Sequence, residues 1–294
     1  MNKLSWLGGF FDGEGSFSFS QGSPSLQIVN TDPIAITYCC SILLENNIEA
    51  KITERSKPSK SSKRKRWDIF INKADECFKF CNIMKNNIFG KKEQLELVLK
   101  YSKIRKCAKK YHEEMKKLNQ SSNYLIIDKK VLSNKLKIKN VECQIFSEGS
   151  NDVIKFNDFN DVDYLCGIID AEGTIAINSR KNKKCSTYRF NPVISFVNTN
   201  KEIISRCCST LKNNNVGFHI QKRIPTNRNR IRWDVQISGL KRILKVGKLI
   251  KDNLIVKNRQ LELLLNYSYC RSKNPKSVND IGYSTKIAIE AMRK

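Results

Sequence analysis

A chain of 294 residues with 54 Lys+Arg against 28 Asp+Glu carries a formal charge of +26, and its length suits one large core or two medium ones. An excess that large opposes compaction unless a polyanion or counterions offset it, which puts nucleic acid first among partners and an acidic membrane surface second, against the blander effect of AT-rich codons on Lys and Asn content. No apolar run approaches the ~20 residues of a membrane span, and with only two histidines, His112 and His219, histidine-based catalysis has little material.

In chain order, Leu4 to Phe11 is apolar on most sides, as in a buried helix, and Asp12 and Glu14 end it. Ser16-Phe17-Ser18-Phe19-Ser20 alternates with the period of a half-buried strand. Gln21-Gly22-Ser23-Pro24 is turn chemistry, and Leu26-Gln27-Ile28-Val29 returns as a second strand. Thr31-Asp32-Pro33 opens a helix with a cap and a proline near the first turn, running to about Asn46-Asn47. Strands at Ile48–Arg55 and Lys65–Asn72 follow, joined by the basic loop 56–63, and helices near 74–86 and 91–105 close the unit. The order is αββαββα.

The unit is then written a second time. WLGGFFDGEGSF (6–17) matches YLCGIIDAEGTI (164–175), and the stretch 29–52 matches 197–220. Arg66-Trp67-Asp68-Ile69 matches Arg232-Trp233-Asp234-Val235, and Gln94-Leu95-Glu96-Leu97 matches Gln260-Leu261-Glu262-Leu263. Four blocks in one order indicate duplication. The expected division is an N-terminal half over 1–118, a linker over 119–160 with strand-like pieces such as Tyr124–Ile127, a C-terminal half over 161–272, and an extension over 273–294 whose end is a short amphipathic helix. The eleven cysteines include the pairs Cys39-Cys40 and Cys207-Cys208, which fall in register, and no Cys-x-x-Cys. They read as packed thiols of a reducing compartment, not as zinc ligands.

Asp12 and Glu14, repeated as Asp170 and Glu172, stand where a helix C-terminus disfavours negative charge. The plain account makes the aspartates turn caps and the glutamates solvated. The alternative is a compensating cation: if the two helices pack side by side, with Gly8-Gly9 and Cys166-Gly167 permitting close approach, Glu14 and Glu172 form a cage for a hard divalent ion. Mg²⁺ suits it, with Ca²⁺ or Mn²⁺ able to occupy the same sites, and such an ion can bridge carboxylates to phosphate oxygens.

Strand alternation turns Phe17, Phe19, Leu26, Ile28, Trp67, Ile69 and Ile71 toward the helices. The other face of the first copy presents Ser16, Ser18, Ser20, Ser25, Gln27, Lys51, Thr53, Arg55, Arg64, Arg66 and Asp68. That of the second presents Thr174, Asn178, Arg180, Arg189, Asn191, Ser195, His219, Gln221, Arg223, Arg230, Arg232 and Asp234. Polarity alone is what a solvated sheet face shows. A bias to Arg, Asn and Gln also suits guanine and adenine edges, while Lys57, Lys60, Lys63 and Lys65 suit phosphates. Trp67 and Trp233 are expected in the core.

Leu7-Gly8-Gly9-Phe10-Phe11-Asp12-Gly13-Glu14-Gly15 and Leu165-Cys166-Gly167-Ile168-Ile169-Asp170-Ala171-Glu172-Gly173 resemble the LAGLIDADG motif of homing endonucleases. With the duplicated unit, the chain is similar to the single-chain, two-motif members, which act as pseudo-symmetric monomers. The resemblance implies an α+β fold of two αββαββα units packed through the motif helices, each sheet forming half of a saddle over the DNA major groove. It implies Glu14 and Glu172 as metal ligands, with Gly13 and Ala171 grouped with them at the metal. Glu stands where many members have Asp. Asn30 and Asn198, ending the second strand, map to residues that order water near the metals. Lys91 and Lys257 map to lysines near the scissile phosphate, although either is also an ordinary solvated charge on a basic protein.

The expected function is double-strand cleavage of a long, asymmetric or partly palindromic DNA target. No protein-splicing sequence flanks the repeats, which favours a free-standing, intron-encoded enzyme, at home in a mitochondrion or chloroplast if organelle-encoded and otherwise in a bacterial cytoplasm. The alternative on the same fold is an RNA maturase that assists splicing of group I intron RNA. A binding protein that has lost catalysis would show a decayed motif.

Overall fold

Asn2 opens the first helix, α1 (Lys3–Glu14), by accepting the Ser5 N–H on its side chain, and every residue from Ser5 to Asp12 is buried. Its counterpart α6 (Val162–Glu172) is capped by Asp161, which accepts the Tyr164 N–H, and buries Tyr164 to Asp170. Each helix runs into a strand without a loop. Gly15 and Gly173 are the points of change, extended in backbone, and they have no room for a side chain. A Cβ at Gly15 would lie 2.4 Å from the Phe11 ring, and one at Gly173 2.3 Å from the Ile169 carbonyl oxygen.

The computed structural model describes residues 1–20, 23–55, 65–104, 108–121, 145–146, 159–181, 188–223, 231–273 and 279–292. The chain divides into two units: Met1–Asn140 with Ile224–Ile231, and Val141–Arg223 with Arg232–Lys294. The first continues through β1 (Gly15–Ser20), β2 (Ser23–Asn30), α2 (Pro33–Glu45), β3 (Lys51–Arg55), β4 (Arg66–Ile71), α3 (Ala74–Met84), α4 (Lys92–Ile104) and α5 (Ala108–Ser121). After a two-residue strand β5 (Ile145–Phe146), the second repeats the order with α6, β6 (Gly173–Lys181), β7 (Tyr188–Asn198), α7 (Lys201–Asn213), β8 (His219–Arg223), β9 (Arg232–Ser238), α8 (Leu240–Ile250), α9 (Asn258–Lys273) and α10 (Asn279–Ala291). The αββαββα plan is therefore present twice, and each copy carries further helices. The amphipathic helix expected at the C-terminus is α10, longer than foreseen, and it packs on β6 and β7 as α5 packs on β1.

Both sheets are antiparallel, in the orders β1-β2-β4-β3 and β5-β8-β9-β7-β6. Their helix-side faces hold the core: Phe17, Phe19, Leu26, Ile28, Ile69 and Ile71 in the first unit, and Ile175, Ile177, Ile194, Phe196, Val235 and Ile237 in the second, are all at most 4% exposed. The second strand pair is shorter than the sequence suggested, because β3 begins at Lys51 and not at Ile48. The Ile48 N–H is instead spent on the Leu43 carbonyl (2.8 Å), closing α2 through Asn47 in the left-handed region; Val216, Leu211 and Asn215 do the same after α7.

The two sheets differ at one edge. Ile52 on β3 is 53% exposed and Trp67 beside it is half-buried, whereas Ile220 and Trp233 are 5% and 2% exposed. In the second unit β5 adds a strand outside β8, pairing Phe146 with Ile220, so only Trp233 takes the full core position expected of both tryptophans. Of the described cysteines, Cys39, Cys77, Cys81, Cys166, Cys207 and Cys208 are buried, Cys40 is half-buried and Cys270 exposed; all are free thiols. Among the described residues no helix is long and apolar enough to cross a membrane.

Candidate active site and nucleic-acid interface

The acids at the end of the motif helices have separate jobs. Asp12 turns inward, 4% exposed, and accepts three backbone N–H groups: Phe89 (2.8 Å) and Gly90 (3.0 Å) on Oδ2, and Lys91 (3.1 Å) on Oδ1. Asp170 repeats this with Ile255 (2.8 Å), Val256 (3.1 Å) and Lys257 (3.0 Å). Those N–H groups lead into α4 and α9, since the Lys91 and Lys257 carbonyls accept from Leu95 and Leu261. Each carboxylate thus meets the positive end of a second helix, which compensates for its place at the negative end of its own.

Lys91 and Lys257 complete the exchange. The Lys91 ammonium donates to the carbonyl oxygens of Phe11 (2.9 Å) and Asp12, and that of Lys257 to those of Ile169 (2.9 Å) and Asp170. The Phe11 and Ile169 carbonyls also accept the Gly15 and Gly173 N–H groups, and each lysine adds a C-terminal cap within the motif's last turn. The small residues of the motif also act within a unit: a Cβ on Gly8 would come within 2.0 Å of the Asn87 carbonyl oxygen, and Cys166, its equivalent, places its thiol 3.8 Å from the Ile250 carbonyl. The close approach that the sequence suggested for packing between motif helices is made, at this position, to the unit's own third helix and the turn after it.

Glu14 and Glu172, one residue before the strand, are released from that clamp. Glu14 is half-buried and accepts from the Asn30 side-chain amide at 3.2 Å; Glu172 is exposed. Asn30 is held by its own Oδ1, which accepts the Asp32 N–H (2.8 Å), and Asp32 caps α2 by accepting from Ile34. Asn198 accepts the Asn200 N–H at the same distance, and Asn200 caps α7. Gly13 and Ala171 are half-buried on the last turns of α1 and α6. Among the described residues no cluster of three or more His, Cys, Asp or Glu forms a complete cation cage. The Glu14 carboxylate, oriented by the Asn30 amide, nonetheless offers hard oxygen of the kind that suits Mg²⁺, which binds through one or two carboxylates plus substrate phosphates and keeps several waters.

The strand alternation also places the outer sheet faces. In the first unit Ser16 pairs with Gln27, Gln27 with Phe70, and Phe70 with Lys51. Ser16, Ser18 and Lys51 are exposed, Ser25, Gln27 and Thr53 are half-buried, and the Ser18 and Ser25 hydroxyls lie 2.7 Å apart. In the second unit Thr174 pairs with Ser195, Asn178 with Asn191, and Arg180 with Arg189. Gln236, exposed and paired with both Ser195 and His219, belongs to this face as well; extending the alternation two residues past Asp234 would have found it. His219 is half-buried, its Nε2 3.1 Å from Arg242 of α8. Lys65 is exposed and paired with Glu54 at 3.0 Å.

One residue on this face departs from the expectation that it meets solvent. The Asp68 side chain is fully buried beneath Arg55 and Arg66, which are 52% and 42% exposed; Arg55 Nε lies 2.6 Å from Oδ2 and Arg66 Nε 3.1 Å from Oδ1. Asp234 holds Arg223 (2.6 Å) and Arg232 (3.4 Å) in the same way and is 14% exposed. Alternation gives the face a side chain is on; it does not show that longer neighbours cover it. Lys57, Lys60, Lys63, Arg64, Arg230, the side chain of Ser20 and the strand-like Tyr124–Ile127 lie outside the described residues.

Residues 1–137 match the model of the LAGLIDADG-like domain. No curated protein sequence matches the chain. Solved structures with a similar fold include the LAGLIDADG meganuclease I-AabMI bound to uncleaved DNA (TM-score 0.65, 21% identity, 99% of this chain and 98% of that one). They include also the LAGLIDADG homing endonuclease I-SmaMI bound to cleaved DNA (0.61, 12%, 100% and 96%) and the LAGLIDADG homing endonuclease I-GzeII in complex with its DNA target (0.64, 17%, 99% and 99%). The first half of the chain thus matches the LAGLIDADG-like domain, and the whole chain shares its fold with these LAGLIDADG endonucleases.

Proposed function

We propose that this protein is a site-specific DNA endonuclease that hydrolyses both strands of a long, at most partly palindromic target as a monomer, and that it is intron-encoded. The observation that carries the reading is the division of labour in each motif. Asp12 and Asp170 are consumed by three N–H bonds apiece, so the second acid, Glu14 or Glu172, is the one left at the start of the outward-facing sheet. A duplex has two strands, and the chain carries two such acids.

In each unit the second acid, Glu14 or Glu172, is the residue that would hold a divalent ion, most simply Mg²⁺. When bound, such an ion polarises the phosphoryl oxygen and lowers the pKa of an attacking water. Asn30 fixes the Glu14 carboxylate through its amide. Lys91 and Lys257 keep positive charge at the ends of the motif helices while tethered to main-chain oxygen, where they face the charge of a bound phosphodiester. Phosphate contacts from the basic surface supply affinity, and side chains on the two sheets supply sequence preference.

The test is Glu14→Gln and Glu172→Gln in a cleavage assay against targets selected from a randomised duplex library, with Mg²⁺. Each variant is expected to keep binding within a few-fold of the parent and to lose cleavage. Full Mg²⁺-dependent cutting by the double variant would overturn the assignment, and stimulation of intron splicing without any DNA cleavage by the parent would overturn the function.

A further inference from the structure

The outer faces of the two sheets differ at most matched positions: Gln27 answers to Ser195, Lys51 to His219, and Thr53 to Gln221. Amid that divergence one three-residue arrangement recurs intact. Arg55 and Arg66 are direct cross-strand partners on β3 and β4, as Arg223 and Arg232 are on β8 and β9. Two like charges facing one another across a strand pair repel. In each unit an aspartate two residues along the neighbouring strand, Asp68 or Asp234, sits between them and offsets the repulsion.

The atoms used are informative. Arg55 and Arg223 each form an ion pair in which Nε lies 2.6 Å from a carboxylate oxygen. The closest approach is thus made through Nε, and the two terminal amino groups of each form the fork that matches guanine O6 and N7. Arg66 spends more on the acid: its Nε and one terminal nitrogen lie 3.1 Å and 3.4 Å from the two Asp68 oxygens. Among the described residues, Asp68 is the acceptor recorded for both Arg55 and Arg66. In the second unit the Arg223 Nε–H donates to Gln221 Oε1 at 3.1 Å, with Asp234 beside it as the ion-pair partner. A half-exposed arginine is ordinarily a flexible side chain that loses rotamer entropy on binding; one clamped at Nε has that loss reduced in advance.

We propose that Asp68 and Asp234 are positioning residues that hold Arg55 and Arg223 as paired guanine readers, so that an otherwise asymmetric target contains one guanine at the corresponding place in the stretch read by each unit. The inference rests on the DNA-binding reading above. It concerns residues that do not touch DNA themselves.

The experiment is selection of bound sequences from a randomised duplex library by the full-length parent and by Asp68→Asn, Asp234→Asn, Arg55→Lys and Arg223→Lys. The parent is expected to select two guanines. Asp68→Asn and Arg55→Lys should lower preference at the same one of them by about tenfold or more, and Asp234→Asn and Arg223→Lys should lower it at the other. Because Asp→Asn makes the face more positive, affinity for unrelated duplex should hold or rise in the aspartate variants. A defect of folding would lower both. Asp234 is partly exposed and so tests the idea even where Asp68→Asn fails to fold. Retention of both guanines by the aspartate variants, while the lysine variants lose them, would overturn the positioning role. Guanine preference unaffected by the lysine variants would overturn the readers. A parent that enriches no sequence at all would instead bring down the DNA-cleaving function on which the proposal rests.

Discussion

Asp12 and Lys91 grip one another twice: the Lys91 backbone N–H donates to the Asp12 carboxylate at 3.1 Å, and the Lys91 ammonium donates to the Asp12 main-chain carbonyl. Asp170 and Lys257 do the same. The first contact fastens the start of one helix and the second the end of another, so a single residue pair satisfies groups at two helix termini that would otherwise lack partners. The pair therefore sets where the motif helix stops, and with it where Glu14 begins.

The consequence for mutagenesis is a separation between neighbouring acids. Asp12→Asn leaves one acceptor oxygen facing three N–H donors and turns an NH₂ toward them. Each N–H stranded in this buried place costs about 1–3 kcal/mol. We expect Asp12→Asn to lower the urea midpoint markedly, and Glu14→Gln, two residues on, to shift it little. Equal stability of the two variants would mean that the carboxylate clamp is not structural.

Gly8 and Cys166 occupy one position of the motif and are not interchangeable. At Gly8 a methyl group would overlap main-chain atoms of Asn87, with the carbonyl oxygen only 2.0 Å away, and backbone cannot swing aside as a side-chain tip can. Gly8→Ala should destabilise the first unit by about 1–3 kcal/mol, the usual cost of overpacking. Cys166→Ala removes only a thiol from a site already shaped for a side chain and should cost less. Thermal melts of the two variants decide it; the reverse order would place the crowding elsewhere.

The duplication was legible because packing constrains the repeated residues: Leu7, Phe10 and Phe11, and their partners Leu165, Ile168 and Ile169, are each at most 1% exposed, so their character persisted in both copies. Strand faces were legible for the same reason, through alternation. The third closing helix was foreseen only in the second unit, as the amphipathic end of the chain, and not as a member of the repeat. Among the described residues of α5 and α10 the buried side chains are few, Met115 and Ile289 at 1% exposure, so the two sequences were free to diverge until no repeat was visible. β5 escaped because a two-residue strand is defined by its neighbour β8 and not by its own pattern. The roles of Asp12 and Glu14 were inseparable in the sequence, since the donors that distinguish them lie nearly eighty residues downstream.

The packed cysteines make stability fall at high pH. Burial pushes the Cys77 thiol up to about 12 from an ordinary value of 9.0, and burial also holds Cys81, Cys166 and Cys208 well above that value. A folded-state pKa raised above the unfolded one means that the unfolded chain loses its protons first. The contribution is therefore intact below about pH 9 and declines as pH rises toward the folded value, by about 1.4 kcal/mol per pH unit for each such thiol. Cys77 donates its thiol hydrogen toward the Ile71 carbonyl at 3.1 Å, so Cys77→Ser keeps a donor in place while removing the titration. Urea unfolding at pH 8, 9.5 and 10.5 should give a shallower decline for Cys77→Ser than for the parent. Parallel declines would show that the thiol titrates alike in the folded and unfolded chains, and that its burial does not hold the proton.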